Sequence, residues 1–131
     1  MKKKLALLLL AVMLLTACGQ AAKNQQEAVY LNITAEEAKK IMDSEEGYVI
    51  LDVRTREEYD QGHIPGAVLI PNTEIAARAE DELTDKSQLI LVYCRSGRRS
   101  KLAAEELVAL GYTNIREFGG IIDWPYETTT D

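Results

Sequence analysis

The sequence predicts an α/β domain built on a mainly parallel sheet, and three observations carry that expectation. Two runs, Tyr48-Val49-Ile50-Leu51-Asp52-Val53 and Leu89-Ile90-Leu91-Val92-Tyr93, are almost wholly apolar, as strands covered on both faces are. Helix-start signals follow strand patterns after short loops, in an order that repeats along the chain. The length of 131 residues, with 47% apolar and 27% charged side chains, suits one core and is too short for two.

The first segment stands apart from this domain. Lys2, Lys3 and Lys4 precede an unbroken apolar run from Leu5 to Leu15, a run of signal-peptide length that is short for a bilayer span. Leu15-Thr16-Ala17-Cys18 then resembles the lipobox of bacterial lipoproteins, in which small residues fit a peptidase and the cysteine thiol accepts a lipid. Residues 1–17 are expected to be a lipoprotein signal peptide, Cys18 the lipidated new N-terminus, and the protein extracytoplasmic and membrane-anchored; an ordinary signal peptide or an uncleaved anchor are the alternatives. Residues 18–28 are polar and without periodicity, and read as a flexible tether.

Loss of residues 1–17 would remove three of the 15 Lys and Arg and none of the 21 Asp and Glu, leaving 12 against 21 and a formal charge near −9. Such an acidic chain disfavours a nucleic-acid partner. With Cys18 carrying lipid, Cys94 is left without a disulfide partner, so it is either an inert buried residue or a chemical group. One histidine and one available cysteine fall short of a metal-ligand set; neither metal nor other cofactor is expected.

The domain itself is expected over residues 29–126, with 127–131 a short polar tail. Val29 to Ile33 is a short strand pattern. Thr34-Ala35-Glu36-Glu37 forms a capping box and opens a helix to about Asp43. The first buried strand follows, and a second capping box, Thr55-Arg56-Glu57-Glu58, starts a short helix ending near Gly62. Ala67 to Ile70 is a third strand, after which Asn72 is placed to cap a helix through about Glu80. The second buried strand, Leu89 to Tyr93, leads through a loop to a helix from about Arg98 to Leu110, with Ala103, Leu107 and Leu110 on one face and Gly111 as its stop. Asn114-Ile115-Arg116 is the last strand, and Trp124 and Tyr126 are expected to cover the sheet edge.

Ligands of parallel sheets bind at the carboxyl ends of the strands, where this pattern puts Cys94. In Cys94-Arg95-Ser96-Gly97-Arg98-Arg99-Ser100 a thiolate would meet the free amides and positive end of a helix N-terminus. A free cysteine of pKa about 8.5 is only about 3% ionised at pH 7, and lowering that value by two units, about 2.7 kcal/mol, makes the anion predominate. Gly97 lets the loop turn its amides inward, and the arginines can grip oxyanions. A core cysteine beside a solvated helix start is the plain alternative, but four cations between residues 95 and 101 of an acidic chain oppose it.

This loop resembles the active-site loop of the rhodanese-like sulfurtransferases. Leu51-Asp52-Val53-Arg54, Glu58-Tyr59 and Gly62-His63-Ile64-Pro65-Gly66-Ala67 resemble that family's N-terminal signature, and Phe118-Gly119-Gly120 with Trp124 its C-terminal one. The resemblance implies a three-layer fold with a five-stranded, mainly parallel sheet and helices on both faces. It implies Cys94 as a nucleophile that takes sulfur from a small anionic donor such as thiosulfate or a polysulfide, holds it as a persulfide, and passes it to cyanide or to a small-molecule or protein thiol. Amides of Arg95, Ser96, Gly97, Arg98, Arg99 and Ser100 would cradle the sulfur, with Arg95, Arg98 or Arg99 gripping the donor. Asp52 and Arg54 are expected to serve structure, and His63 to make a structural hydrogen bond. Two other functions are weighed. A phosphatase or arsenate reductase would need an arginine where Ser100 stands, and a non-enzymatic binding or sulfur-sensing module would not need the intact cysteine loop.

Overall fold

The computed structural model describes residues 29–131; the predicted signal peptide, Cys18 and the tether lie outside the described residues. Five strands, β1 (Leu31–Asn32), β2 (Val49–Asp52), β3 (Val68–Leu69), β4 (Ile90–Cys94) and β5 (Ile115–Gly120), form one sheet in the order β1-β5-β4-β2-β3. Every pairing is parallel. Helices α1 (Ala35–Ser44), α2 (Arg56–Gln61), α3 (Ile75–Glu82) and α4 (Arg98–Ala109) make the connections.

Strand alternation divides the core into two layers. Leu51, Ile90, Val92, Cys94 and Ile115 face α3 and α4, where Ile75, Ala79, Ala103, Ala104 and Leu107 cover them. Ile50, Leu91, Tyr93 and Phe118 face the other way, onto Ala38 of α1 and onto Ile64 and Trp124. All five residues of β4 are buried, as its unbroken apolar run predicts. The predicted three-layer α/β fold with a five-stranded parallel sheet is the one observed.

Both capping boxes form, Thr34 with Glu37 and Thr55 with Glu58. Three boundaries differ from expectation. The first strand shrinks to two exposed residues. Asn72 does not cap a helix through its side chain: its backbone N–H extends the sheet to the Val53 carbonyl at 2.9 Å, so the chain makes a 3₁₀ turn over Asn72–Glu74 before α3 begins. The last strand runs on through Glu117, Phe118 and Gly119 to Gly120, opposite an irregularity between Val92 and Cys94. Trp124 covers a sheet face rather than an edge, with its ring 5.6 Å from that of Phe118. Residues 127–131 lie against the domain, where Thr129 exchanges two 2.8 Å backbone hydrogen bonds with His63.

Candidate active site

Cys94 is the last residue of β4 and lies 1% exposed on the α4 side of the sheet. The chain leaves it through Arg95 and Ser96 and reverses at Gly97, whose φ of 103° is left-handed and suits a residue without Cβ. That turn brings the Gly97 N–H to 3.0 Å from Cys94 Sγ and aims the first turn of α4 at the sulfur. The thiol in turn donates to Ser100 Oγ at 3.3 Å. Burial pushes the Cys94 thiol up, but the Ser100 hydroxyl and the N–H groups of Ser100, Gly97 and Ser96 outweigh it and bring the thiol below its ordinary value. Of the amides expected to cradle the sulfur over residues 95–100, those of Ser96, Gly97 and Ser100 bear on Cys94 Sγ.

The other side of the loop rests on the end of β5. A Cβ on Gly120 would lie 2.0 Å from the Arg95 carbonyl oxygen, and the Ile122 N–H donates to that same oxygen at 3.2 Å. The second glycine of Phe118-Gly119-Gly120 therefore exists for close approach, not for its dihedrals. Gly120→Ala is expected to push the loop by about 1 Å or more and to cut Cys94 alkylation and any turnover about 100-fold, with the fold retained by circular dichroism. Unchanged alkylation kinetics would contradict this role.

Beneath the loop lies a residue that the sequence reading passed over. Glu117 of β5 is 2% exposed, and its Oε1 accepts from Ser100 Oγ at 2.6 Å and from the Gly119 N–H at 2.8 Å. It continues the alternation of Ile115, which would have flagged it as inward-facing had the strand been read to its end.

The three arginines are not equivalent. Arg99 forks onto Glu58 of α2, with Nη1 to Oε1 at 2.6 Å and Nη2 to Oε2 at 2.9 Å. Arg95 and Arg98 are exposed and form no ion pair among the described residues. Hydrogen bonding from Arg99 holds the Glu58 carboxyl down at about 2. A depressed carboxyl stabilises the fold above its unfolded pKa, and that contribution disappears as pH falls through the folded one. Glu58→Gln should thus lower stability by about 1 to 2 kcal/mol at pH 7, allowing for solvent around the pair, and the gap should close between about pH 4 and pH 2. Urea melts at pH 7 and pH 2.5 check it; a constant gap would argue against the ion pair.

Asp52 and Arg54, expected to be structural, form a buried pair with Nη2 2.7 Å from Oδ2. Arg54 also donates to the Gly62 carbonyl, and the Tyr93 hydroxyl donates to Asp52 at 2.6 Å while accepting from the Ile64 N–H. His63 stacks on Tyr59 at 3.6 Å between ring centroids, with Nδ1 at the Tyr59 carbonyl and Nε2 at the main-chain oxygen of Asp131. No contact joins His63 to Cys94, in keeping with a structural role. Beside the loop an open cleft of about 450 Å³ is lined by Arg54, Glu58, Arg95, Ile121, Trp124 and Tyr126. Among the described residues no three His, Cys, Asp or Glu side chains are grouped to hold a metal.

Residues 34–125 match the rhodanese-like domain family. The chain is similar to "Putative sulfur carrier protein YrkF" of Bacillus subtilis, 41% identical over 97 residues that cover 73% of this chain and 51% of that protein. It is likewise 41% identical over 73 residues to the thiosulfate sulfurtransferase PspE of Escherichia coli, covering 56% of this chain and 70% of the relative. The chain thus spans about half the length of the first of these relatives and somewhat over two thirds of the second. Among solved structures, a rhodanese with anions from E. coli superimposes with a TM-score of 0.60 at 36% identity, covering 64% of this chain and 99% of that one. The rhodanese-like domain of Alr3790 from Anabaena gives 0.71 at 30% identity, covering 79% and 81%.

Proposed function

Because the chain belongs to the rhodanese-like domain family, we propose that it is a sulfurtransferase whose Cys94 carries sulfur as a persulfide. The observation that carries the reading is the Gly97 N–H on Cys94 Sγ at 3.0 Å, the mark of a loop that wraps its amides around one sulfur. The Cys94 thiolate attacks the outer sulfur of thiosulfate; the S–S bond of the donor breaks and sulfite leaves with its electron pair. The outer sulfur of the persulfide is then attacked by cyanide or a thiol, which leaves Cys94 as the thiolate again. Arg95 and Arg98, exposed at the mouth, attract the anionic donor, and salt should weaken that attraction.

A phosphatase reading has less support, because Ser100 occupies the place its arginine would need and spends its hydroxyl on Glu117 and Cys94. A protein thiol is the acceptor we favour, since the cleft beside Arg95 offers both cationic and aromatic surface and one similar protein is named as a sulfur carrier. Incubating the full chain with thiosulfate or polysulfide should add about 32 Da, one sulfur, to the Cys94 peptide. If no donor produces the adduct, the domain is a binding module.

We further propose, from Leu15-Thr16-Ala17-Cys18, that lipid at Cys18 holds the domain on the outer face of a membrane. Cys18→Ser should then accumulate as unlipidated precursor. Recovery of the native protein in soluble form with an unmodified N-terminus elsewhere would overturn the anchor.

A further inference from the structure

Glu117 is a buried carboxylate without a cation: it forms no ion pair among the described residues, and its near partners are the Ser100 hydroxyl and the Gly119 N–H. A brace needs only an acceptor at this place, which an amide oxygen would supply without the cost of a buried charge. The arrangement of hydrogens says what the charge is for. Ser100 has one hydroxyl hydrogen and three acceptors within reach, Glu117 Oε1 at 2.6 Å, the Gly97 carbonyl at 3.1 Å and the Gly119 carbonyl at 3.3 Å. The short charged contact claims it. Ser100 therefore offers Cys94 only a lone pair, and accepts the thiol's hydrogen at 3.3 Å. The result is an ordered chain, S–H to O–H to carboxylate, running inward from the sulfur.

We propose that Glu117 is a positioning residue for Cys94, and that through the Ser100 hydroxyl the two share one proton, so that at neutral pH Cys94 ionises by passing its proton to Glu117. The hydroxyl turns to donate to the sulfur only as Glu117 becomes protonated. Two anions in so small a buried volume are disfavoured, so the pair holds a single negative charge. Resting upon the reading of Cys94 as nucleophile, the step balances: thiol, thiosulfate and carboxylate give the persulfide anion, sulfite and carboxylic acid, with the charge unchanged at −3. Transfer of sulfur to cyanide returns the proton to Cys94 and yields thiocyanate. Two neighbouring groups bear on the same charge. Tyr30, before β1, is pushed up by burial and then by Glu105 of α4 and by Glu117. On the outer side Arg99, held by Glu58, also feels Cys94 and Asp52.

The test is the rate of iodoacetamide labelling of the Cys94 peptide, followed by mass spectrometry in the full chain from pH 5 to pH 9. Wild type should rise, level off across the neutral range and rise again, as a coupled pair does. Glu117→Gln keeps the acceptor for Ser100 and Gly119 but cannot take the proton. It should show one ionisation and label about tenfold faster than wild type at pH 8. Ser100→Ala removes the donor that the thiolate needs and should label more slowly than wild type, so the two variants move in opposite directions. Superimposable wild-type and Glu117→Gln profiles, or both variants slower alike with native circular dichroism, would reduce Glu117 to a loop brace and overturn the proposal. Labelling needs no sulfur donor, so a protein that labels as expected yet forms no persulfide would refute sulfur transfer and leave the shared proton standing.

Discussion

Cys94→Ser is expected to fold as the wild type does and to lose sulfur transfer entirely. The serine oxygen fits the same cradle, with the Gly97 N–H at its back and Ser100 in front, so no cavity opens. Cys94 nevertheless supplies two things an alcohol lacks. Its thiol is brought below the ordinary value by the loop's donors, whereas a serine hydroxyl remains protonated at neutral pH, and sulfur alone forms the S–S bond in which the transferred atom rides. The measurement pairs thiocyanate production from thiosulfate and cyanide with the mass of the Cys94 peptide. The serine variant should give neither product nor adduct at any donor concentration while its thermal melt stays near that of the wild type. Turnover by the serine variant at the wild-type rate would end the persulfide mechanism. His63→Ala is the useful companion, because His63 touches Tyr59, Thr129 and Asp131 and not the loop; it should lose stability and keep its activity per folded molecule.

Asp52→Ala is expected to be the most destabilising single change outside the apolar core. Asp52 is wholly buried, receives three hydrogen bonds from the Arg54 guanidinium and a fourth from its backbone N–H, and accepts from the Tyr93 hydroxyl. Its removal strands a guanidinium that is 5% exposed and leaves the Tyr93 hydroxyl facing an apolar methyl. Breaking a buried pair in this way costs about 3 to 5 kcal/mol, a large share of the roughly 5 to 15 kcal/mol that holds a domain together. Burial, with Asp52 as the next cause, pushes the Tyr93 phenol up beyond any physiological pH, so that hydroxyl stays a donor throughout. Urea unfolding should show the loss as a lower midpoint with an unchanged slope. Tyr93→Phe, which removes one bridge to Asp52 and one acceptor for Ile64, should lose about 1 to 3 kcal/mol. If Asp52→Ala unfolded at the wild-type urea concentration, the pair would not be holding α2 and the Gly62–Ile64 turn onto the sheet.

What could be read in the sequence was what local spacing controls. The buried strands announce themselves as apolar runs, and the capping boxes of α1 and α2 close on residues three apart. The turn after Cys94 is also local, three residues between a strand and a helix, and was legible as such. Contacts between distant segments were not. Arg99 reaches Glu58 across 41 positions, and nothing in the charge of the loop distinguishes it from Arg95 or Arg98. Glu58 completes a capping box with Thr55, and that local role carries no sign of its second partner. Glu117 was hidden for a different reason: a charged residue at an inward position breaks the apolar alternation, so β5 reads as ending before it. Asn72 looked like a helix cap because the competing sheet hydrogen bond to Val53 comes from another part of the chain.

The close approach of Gly120 to the Arg95 carbonyl also bears on the order in which the parts of the site become available. A chain is made from its N-terminus, and the sheet order β1-β5-β4-β2-β3 leaves a gap between β1 and β4 that only the last strand fills. Cys94 therefore emerges with its own strand complete on one side and its loop unsupported on the other. Until Gly119 and Gly120 lie against Arg95 and Ser96, the loop lacks its support from β5, and Ser100 has no carboxylate beneath it. The strand that comes last in the sequence of the sheet is thus the one that completes the support of the loop and places Glu117 beneath Ser100.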